Sequence, residues 1–268
     1  MTGGSGRSVA AAITAALLTA NPRDKAIAAR AVARDWKAGR LAWRWEVAMP
    51  EAPARPSAPE LLPPNKMPKR GRGGSERARI ALWHALAHIE FVAIDLALDI
   101  AGRFGAERGP EFVADFLAVA ADEGAHFLLL ERHLRTIGSH YGALPAHDGL
   151  WSSAAETAHD IAARLAIVPL VLEARGLDVT PAMRDRAEAM GDGVGARILQ
   201  RILDDEIRHV ACGAKHYFAV CADRHEPPET LWKTLVQTHF RGALKPPFND
   251  SARQSAGLPR KFYAAIAC

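Results

Sequence analysis

Asp122-Glu123-Gly124-Ala125-His126 and Asp205-Glu206-Ile207-Arg208-His209 write the same pattern, Asp-Glu-x-x-His, twice in one chain. Both copies lie in segments whose apolar residues recur at helical spacing. Residues three apart on a helix lie about 60° apart around its axis, so each Glu and His project from one face and can bind one cation together. A single match would be weak, and the spacing strengthens it. Glu90 precedes Glu123 by 33 residues and Glu173 precedes Glu206 by 33, while 173 − 90, 206 − 123 and 209 − 126 all equal 83. The pattern is that of a duplicated helical hairpin, each half reading Glu, then Glu-x-x-His.

The neighbours that share each carboxylate's helix face test this reading. They are Trp83, Leu86, Ala87, Ile94 and Ala97 around Glu90, and Phe116, Val119, Ala120, Phe127 and Leu130 around Glu123. For Glu206 they are Leu199, Ile202, Leu203, Val210 and Gly213; for Glu173, Ala166, Pro169, Leu170, Leu177 and Thr180. All four carboxylates are therefore expected to face the core. Buried carboxylates that converge cost several kcal/mol each unless compensated, and those face positions carry no Lys or Arg. Two divalent cations would supply four positive charges to four glutamates, with neutral imidazoles completing each coordination shell. The expected metal ligands are Glu90, Glu123, His126, Glu173, Glu206 and His209. Carboxylate oxygen with imidazole nitrogen suits two iron ions, with manganese or a mixed manganese–iron pair as alternatives and zinc not excluded by ligand type. The competing reading is a metal-free polar network in which every member is paired.

Around this core the punctuation is conventional. Helical periodicity runs over 76–104, 110–137, 154–177 and 193–222, with a shorter helix near 181–190 and another at 227–240. Gly109-Pro110-Glu111 and Thr180-Pro181 mark helix starts. The joint at 138–153, carrying Gly138, Gly142, Pro145 and Gly149, is long enough for a crossover along a bundle. Residues 8–49 form two helical segments ending in Trp36, Trp43 and Trp45, with Pro22 at a first helical position. The apolar run Val9–Ala20 after Arg7 could instead be a signal-peptide core, but its alanine content favours a helix. From Pro50 to Gly74 prolines and then Lys69, Arg70 and Arg72 describe an extended strap. The expected organisation is thus a helical segment at 1–49, a Pro-rich basic strap at 50–75, an all-α four-helix bundle at 76–222, and a C-terminal helix and tail at 223–268 packing on the bundle.

Composition narrows the function classes. With 49% hydrophobic and 24% charged residues the 268-residue chain is neither disordered nor fibrous. A net charge of +4 falls short of a dedicated nucleic-acid or membrane-surface signature. Cys212, Cys221 and Cys268 form no C-x-x-C pair, no membrane span is present, and a reducing cytoplasm is the simplest compartment. Several residues keep two readings: Asp122 and Asp205 orient a ligand imidazole or sit on the helix surface; Pro169 widens the metal face or merely bends its helix; Lys66 to Arg72 is a solvated linker or touches RNA. His84 and His88 lie about 120° and 160° around the helix from Glu90, which makes them packing or ligand-supporting histidines. Nothing in the spacing compels Tyr141 or Tyr217 to approach the metals.

His84-Ala85-Leu86-Ala87-His88-Ile89-Glu90, Ala121-Asp122-Glu123 to His126-Phe127, Glu173-Ala174-Arg175-Gly176-Leu177-Asp178 and Asp205-Glu206 to His209-Val210 resemble a bacterial ferritin-like family of unknown function. The likeness extends over most of the chain, including Pro246-Pro247-Phe248-Asn249. That family is similar in turn to the di-iron tRNA hydroxylases. The resemblance implies a ferritin-like four-helix bundle and an oxygen-activating oxidoreductase or hydroxylase, taking electrons from a donor and acting on a small-molecule substrate that the sequence does not name. Two alternatives stand beside it, a non-enzymatic iron-handling or structural metal protein and an RNA-modifying hydroxylase.

Overall fold

The computed structural model describes residues 6–68 and 75–267 and is all-helical, with no strand among them. Lys69, Arg70 and Arg72 of the basic stretch lie outside the described residues. The chain divides into two compact units, Met1–Trp151 and Ser152–Cys268. No helix of the described residues is long and apolar enough to cross a membrane.

The first unit is built on a hairpin of two long helices, α3 (Glu76–Arg108) and α4 (Pro110–Thr136), preceded by α1 (Val9–Leu17) and α2 (Pro22–Lys37). Each start has a physical cause. Asn21 accepts from the backbone N–H groups of Arg23 and Asp24 while Pro22 opens α2, and Ser75 caps Ala78 at the head of α3. Gly109 alone separates α3 from α4, at φ +93°, a left-handed backbone that a side chain would strain. Helix α3 is buried on nearly all sides from Trp83 to Gly105, as a core helix should be. Helix α2 packs on α4 so closely that a Cβ at Gly124, inside the first Asp-Glu-x-x-His, would come within 2.9 Å of the Ala26 carbonyl oxygen.

The strap is pinned along its length. Arg103 of α3 donates to the Pro50 carbonyl at 3.1 Å, and Leu62 N–H to the Ala146 carbonyl at 2.8 Å. Beneath it, fully buried Asp95 of α3 is paired with Lys25 of α2 at 2.6 Å and with Arg55 of the strap. Burial pushes the Asp95 carboxyl up and the Lys25 ammonium down, and their mutual attraction holds both shifts in check. The helical segment expected to reach 49 stops at Lys37, and the tryptophans at and beyond its end pack together: Trp36 on Trp43 at 5.9 Å and Trp43 edge-on to Trp45 at 5.1 Å.

The unit boundary falls within α5 (Gly149–Glu156). The second unit contains α6 (Ile161–Ile167), a π-helical turn at Val168–Glu173, α7 (Ala174–Ala189), α8 (Gly193–Asp223), α9 (Pro228–His239) and α10 (Asp250–Ser255). Two expectations change here. The helix expected from 154 starts at Ile161, where Asp160 caps Ala162 at 2.8 Å. It also runs on through Pro181 to Ala189, so no separate short helix exists at 181–190. A mid-helix proline leaves the carbonyl four residues earlier without its donor. That carbonyl belongs to Leu177, and the tail supplies the replacement: Asn249 Nδ2 donates to it at 3.1 Å. Pro169 is accommodated differently, by the wider π register, in which Ala174 N–H reaches the Pro169 carbonyl five residues back. Gly213 of α8 makes room for it, since a Cβ there would lie 2.3 Å from Pro169 Cβ.

The tail also compensates a buried charge. Arg253 of α10 forks onto Asp178 of α7, Nε to Oδ1 at 2.8 Å and Nη2 to Oδ2 at 2.7 Å, with its guanidinium over the Phe248 and Tyr263 rings. Replacing Arg253 by Met is therefore expected to cost about 3 kcal/mol of stability, because it strips a buried carboxylate of its fork. Asn249→Ala should cost about 1 kcal/mol. Urea unfolding of the two variants measures both, and wild-type midpoints would contradict the tail's role.

Candidate metal centre

In the first unit the structure gathers three of the expected ligands. Glu90 comes from the middle of α3, and Glu123 and His126 from one face of α4, and all three are buried. His126 Nδ1 lies 3.1 Å from Glu90 Oε2 and 3.3 Å from Glu123 Oε2. One donor atom from each falls within 4.8 Å of the others, a spacing that a single cation can bridge. Burial, and after it the neighbouring Glu123 carboxylate, push the Glu90 carboxyl well above its ordinary range, while His126 draws it back. Phe91 and Phe127, the next residues along each helix, pack on each other at 5.5 Å in a tilted arrangement.

In the second unit Glu206 and His209 are buried on one face of α8, His209 Nδ1 being 3.8 Å from Glu206 Oε1. Helix α7 passes them at Gly176, where a Cβ would lie 3.7 Å from Glu206 Cγ. Glu173 ends the π turn and is half-buried. A uniform α-helical count across Pro169 puts Glu173 fully on the apolar face, but a π turn holds more residues than an α turn and so rotates the positions beyond it around the axis.

The remaining polar residues sort by contact. Asp205 pairs with Arg208 at 2.5 Å and Arg201 at 3.2 Å, both on its own helix. Tyr217 donates to the Pro228 carbonyl. Tyr141, by contrast, packs on both Phe91 and Phe127 and bonds His88. His84 Nε2 accepts from the backbone N–H groups of Gly142 at 2.9 Å and Leu144 at 3.5 Å, so His84 and His88 hold the α4–α5 connection against α3. Sequence reasoning passed over two buried histidines, His133 and His216, seven residues beyond each ligand histidine and separated by the same 83 (216 − 133). His133 meets Trp83 edge-on at 4.6 Å. The repeat offset would have found both.

Fold and donors together define an all-helical protein with a buried carboxylate–histidine cluster able to hold a metal ion. The chain belongs to the family described as protein of unknown function (DUF455), whose profile matches residues 18–264. It is 42% identical over 211 residues to a protein of Haemophilus influenzae described as an uncharacterized protein, covering 76% of this chain and 73% of that one. No solved structure matches it.

Burial holds the His84 imidazole down at about 4, against 6.5 in an unfolded chain. Folding therefore excludes a proton between those values. The stability His84 contributes is complete above pH 6.5 and falls by about 2 kcal/mol as the pH drops to 4. Urea unfolding across this window should show the advantage of wild type over His84→Gln shrinking on acidification; a pH-independent difference would contradict it.

Proposed function

We propose that this protein is a ferritin-like di-iron carboxylate protein that activates O2 to oxidise or hydroxylate an organic substrate. In this reading α3, α4, the α6–α7 helix and α8 are the four rods of a bundle, and Glu90, Glu123, His126, Glu173, Glu206 and His209 hold the two metals. The observation that carries it is the buried Glu90–Glu123–His126 cluster, together with a second Glu-x-x-His, Glu206 and His209, buried 83 residues further on.

The donor set fits the ions. Carboxylate oxygens and imidazole nitrogens are the ligands that iron and manganese take, and no thiolate is required. When bound, the iron pair supplies the electrons and the Lewis acidity for O2 reduction. The chain's own part is to bring two carboxylates and an imidazole onto adjoining helices, to keep them buried, and to hold them there. Elsewhere in the core it matches carboxylates with fixed cations, Lys25 and Arg55 at Asp95 and Arg253 at Asp178. Opposite Glu90 and Glu123 it places an imidazole, which serves as a metal donor.

Anaerobic Fe(II) titration of the full chain is expected to saturate near two ions per chain. Glu123→Ala should bind fewer than half as many, and chelation should lower the melting temperature of the wild type. Admitting O2 to the loaded protein should consume it with oxidation of the iron. Absence of Fe(II) binding defeats the metal reading. Binding with no O2 consumption leaves a non-enzymatic metal protein, and saturation by manganese or zinc in preference to iron changes the metal assigned.

A further inference from the structure

A cavity of about 330 Å³ opens in the first unit between the N-terminal half of α3 and the α4–α5 connection. Its size is at the lower end of small-molecule sites. The lining is mostly apolar, including Ile89, Leu144 and Leu150, and Ile89 is 44% exposed although it sits mid-helix beside buried Glu90. With Leu144 and Leu150 it gives the cavity a contiguous apolar floor.

The polar side chains of the lining are Arg77, His84, His88 and His147, and no carboxylate is among them. Hydrogen bonds fix what each imidazole offers. His84 Nε2 accepts from two backbone N–H groups, so the proton of the neutral ring is on Nδ1. That Nδ1–H makes no hydrogen bond among the described residues, although His84 is only 1% exposed and lines the cavity. His88 is fully engaged: its Nε2–H donates to the His147 carbonyl at 3.2 Å, and Nδ1 accepts from the Tyr141 hydroxyl at 2.9 Å. His147 Nδ1 accepts from Gly149 N–H at 3.2 Å, which leaves its Nε2 as a donor at the rim. Arg77, exposed in the first turns of α3, forms no ion pair among the described residues. The cavity thus offers a guanidinium and two N–H donors above an apolar floor, and its side chains offer no open acceptor.

We propose that this cavity binds a small amphipathic organic anion, its carboxylate or phosphate held by Arg77, His84 Nδ1–H and His147 Nε2–H and its apolar body lying on Ile89, Leu144 and Leu150. A charged head matches donors that are otherwise left idle, and an apolar body removes Ile89 from water. This does not rest on the metal reading, because every residue of the cavity lies outside the proposed ligand set. The two readings meet at Tyr141, which bonds His88 of the cavity wall and packs on Phe91 and Phe127 beside the metal ligands.

Calorimetric titration of the full chain, once as purified and once after chelation, tests it with four probes of equal chain length: octanoate, octyl phosphate, octanamide and octylamine. At least one of the two anions should bind saturably and more tightly than the amide, with the amine weakest, and the better anion identifies the head group. Arg77→Gln, a surface change, should weaken the anion roughly fivefold and leave the amide unchanged. Ala85→Trp, which fills the cavity, should abolish binding. No saturable anion binding, equal affinity for anion and amide, or unchanged anion affinity in Arg77→Gln would overturn the proposal. Loss of binding on chelation would also overturn its independence from the metal.

Discussion

Negative charge inside a helical core is the constraint to which the rest of this chain answers. An ionised carboxylate without compensation costs several kcal/mol after relaxation, and the long helices bury several: Glu90 and Asp95 on α3, Glu123 on α4, Asp178 on α7 and Glu206 on α8. Asp95 and Asp178 stand in the same 83-residue relation as the glutamates (178 − 95 = 83), each five residues beyond the first Glu of its half. Their partners, however, are not duplicated. Asp95 takes Lys25 from α2 and Arg55 from the strap, whereas Asp178 takes Arg253 from α10. Two halves that share the sequence repeat thus draw their buried cations from different appendages. The N-terminal helices and strap of one unit and the tail of the other each deliver a cation to an equivalent buried anion, by a different route.

Much of this was legible in the sequence because helices announce themselves locally. Pro22 after Asn21 placed the start of α2, and Gly109-Pro110 with the apolar stripes around Glu90 and Glu123 placed α3 and α4 and the faces of their carboxylates to within a few residues. Where local signals failed, a distant residue had overruled them. Thr180-Pro181 reads as a helix start, and would be one if the Leu177 carbonyl had no donor; Asn249, some seventy residues away, provides it. Pro169 reads as a kink, and the chain answers with a π turn that shifts Glu173 relative to a uniform helical count. Asp95 and Asp178 were readable from the repeat offset, but their cations were not, since Lys25, Arg55 and Arg253 share no spacing with them.

The histidines divide along the same line. His126 and His209 sit three residues after a glutamate, a relation the helix itself enforces, and helical geometry alone places them. His84 and His88 take their roles from the α4–α5 connection, whose backbone N–H and carbonyl groups fix which nitrogen carries each proton. No helical periodicity encodes that, because the partners lie in an irregular segment. The cavity is invisible in sequence for the same reason: its floor belongs to α3, and its far wall to residues about sixty positions later.

The two ways of compensating charge have different consequences for what the protein can do. A guanidinium forked onto Asp178 at 2.7 Å is a permanent counter-charge, and it commits that carboxylate to structure. Glu90 and Glu123 face His126, whose imidazole carries no permanent charge and can donate through nitrogen to a metal as well as through N–H to oxygen. Burial that disfavours two adjacent bare carboxylates favours any cation small enough to enter between them. The same helix that anchors Asp95 with fixed cations therefore presents, one and a half turns earlier, a carboxylate whose compensation is exchangeable. The rigid pair ties α3 to α2 and the strap within two turns of Glu90.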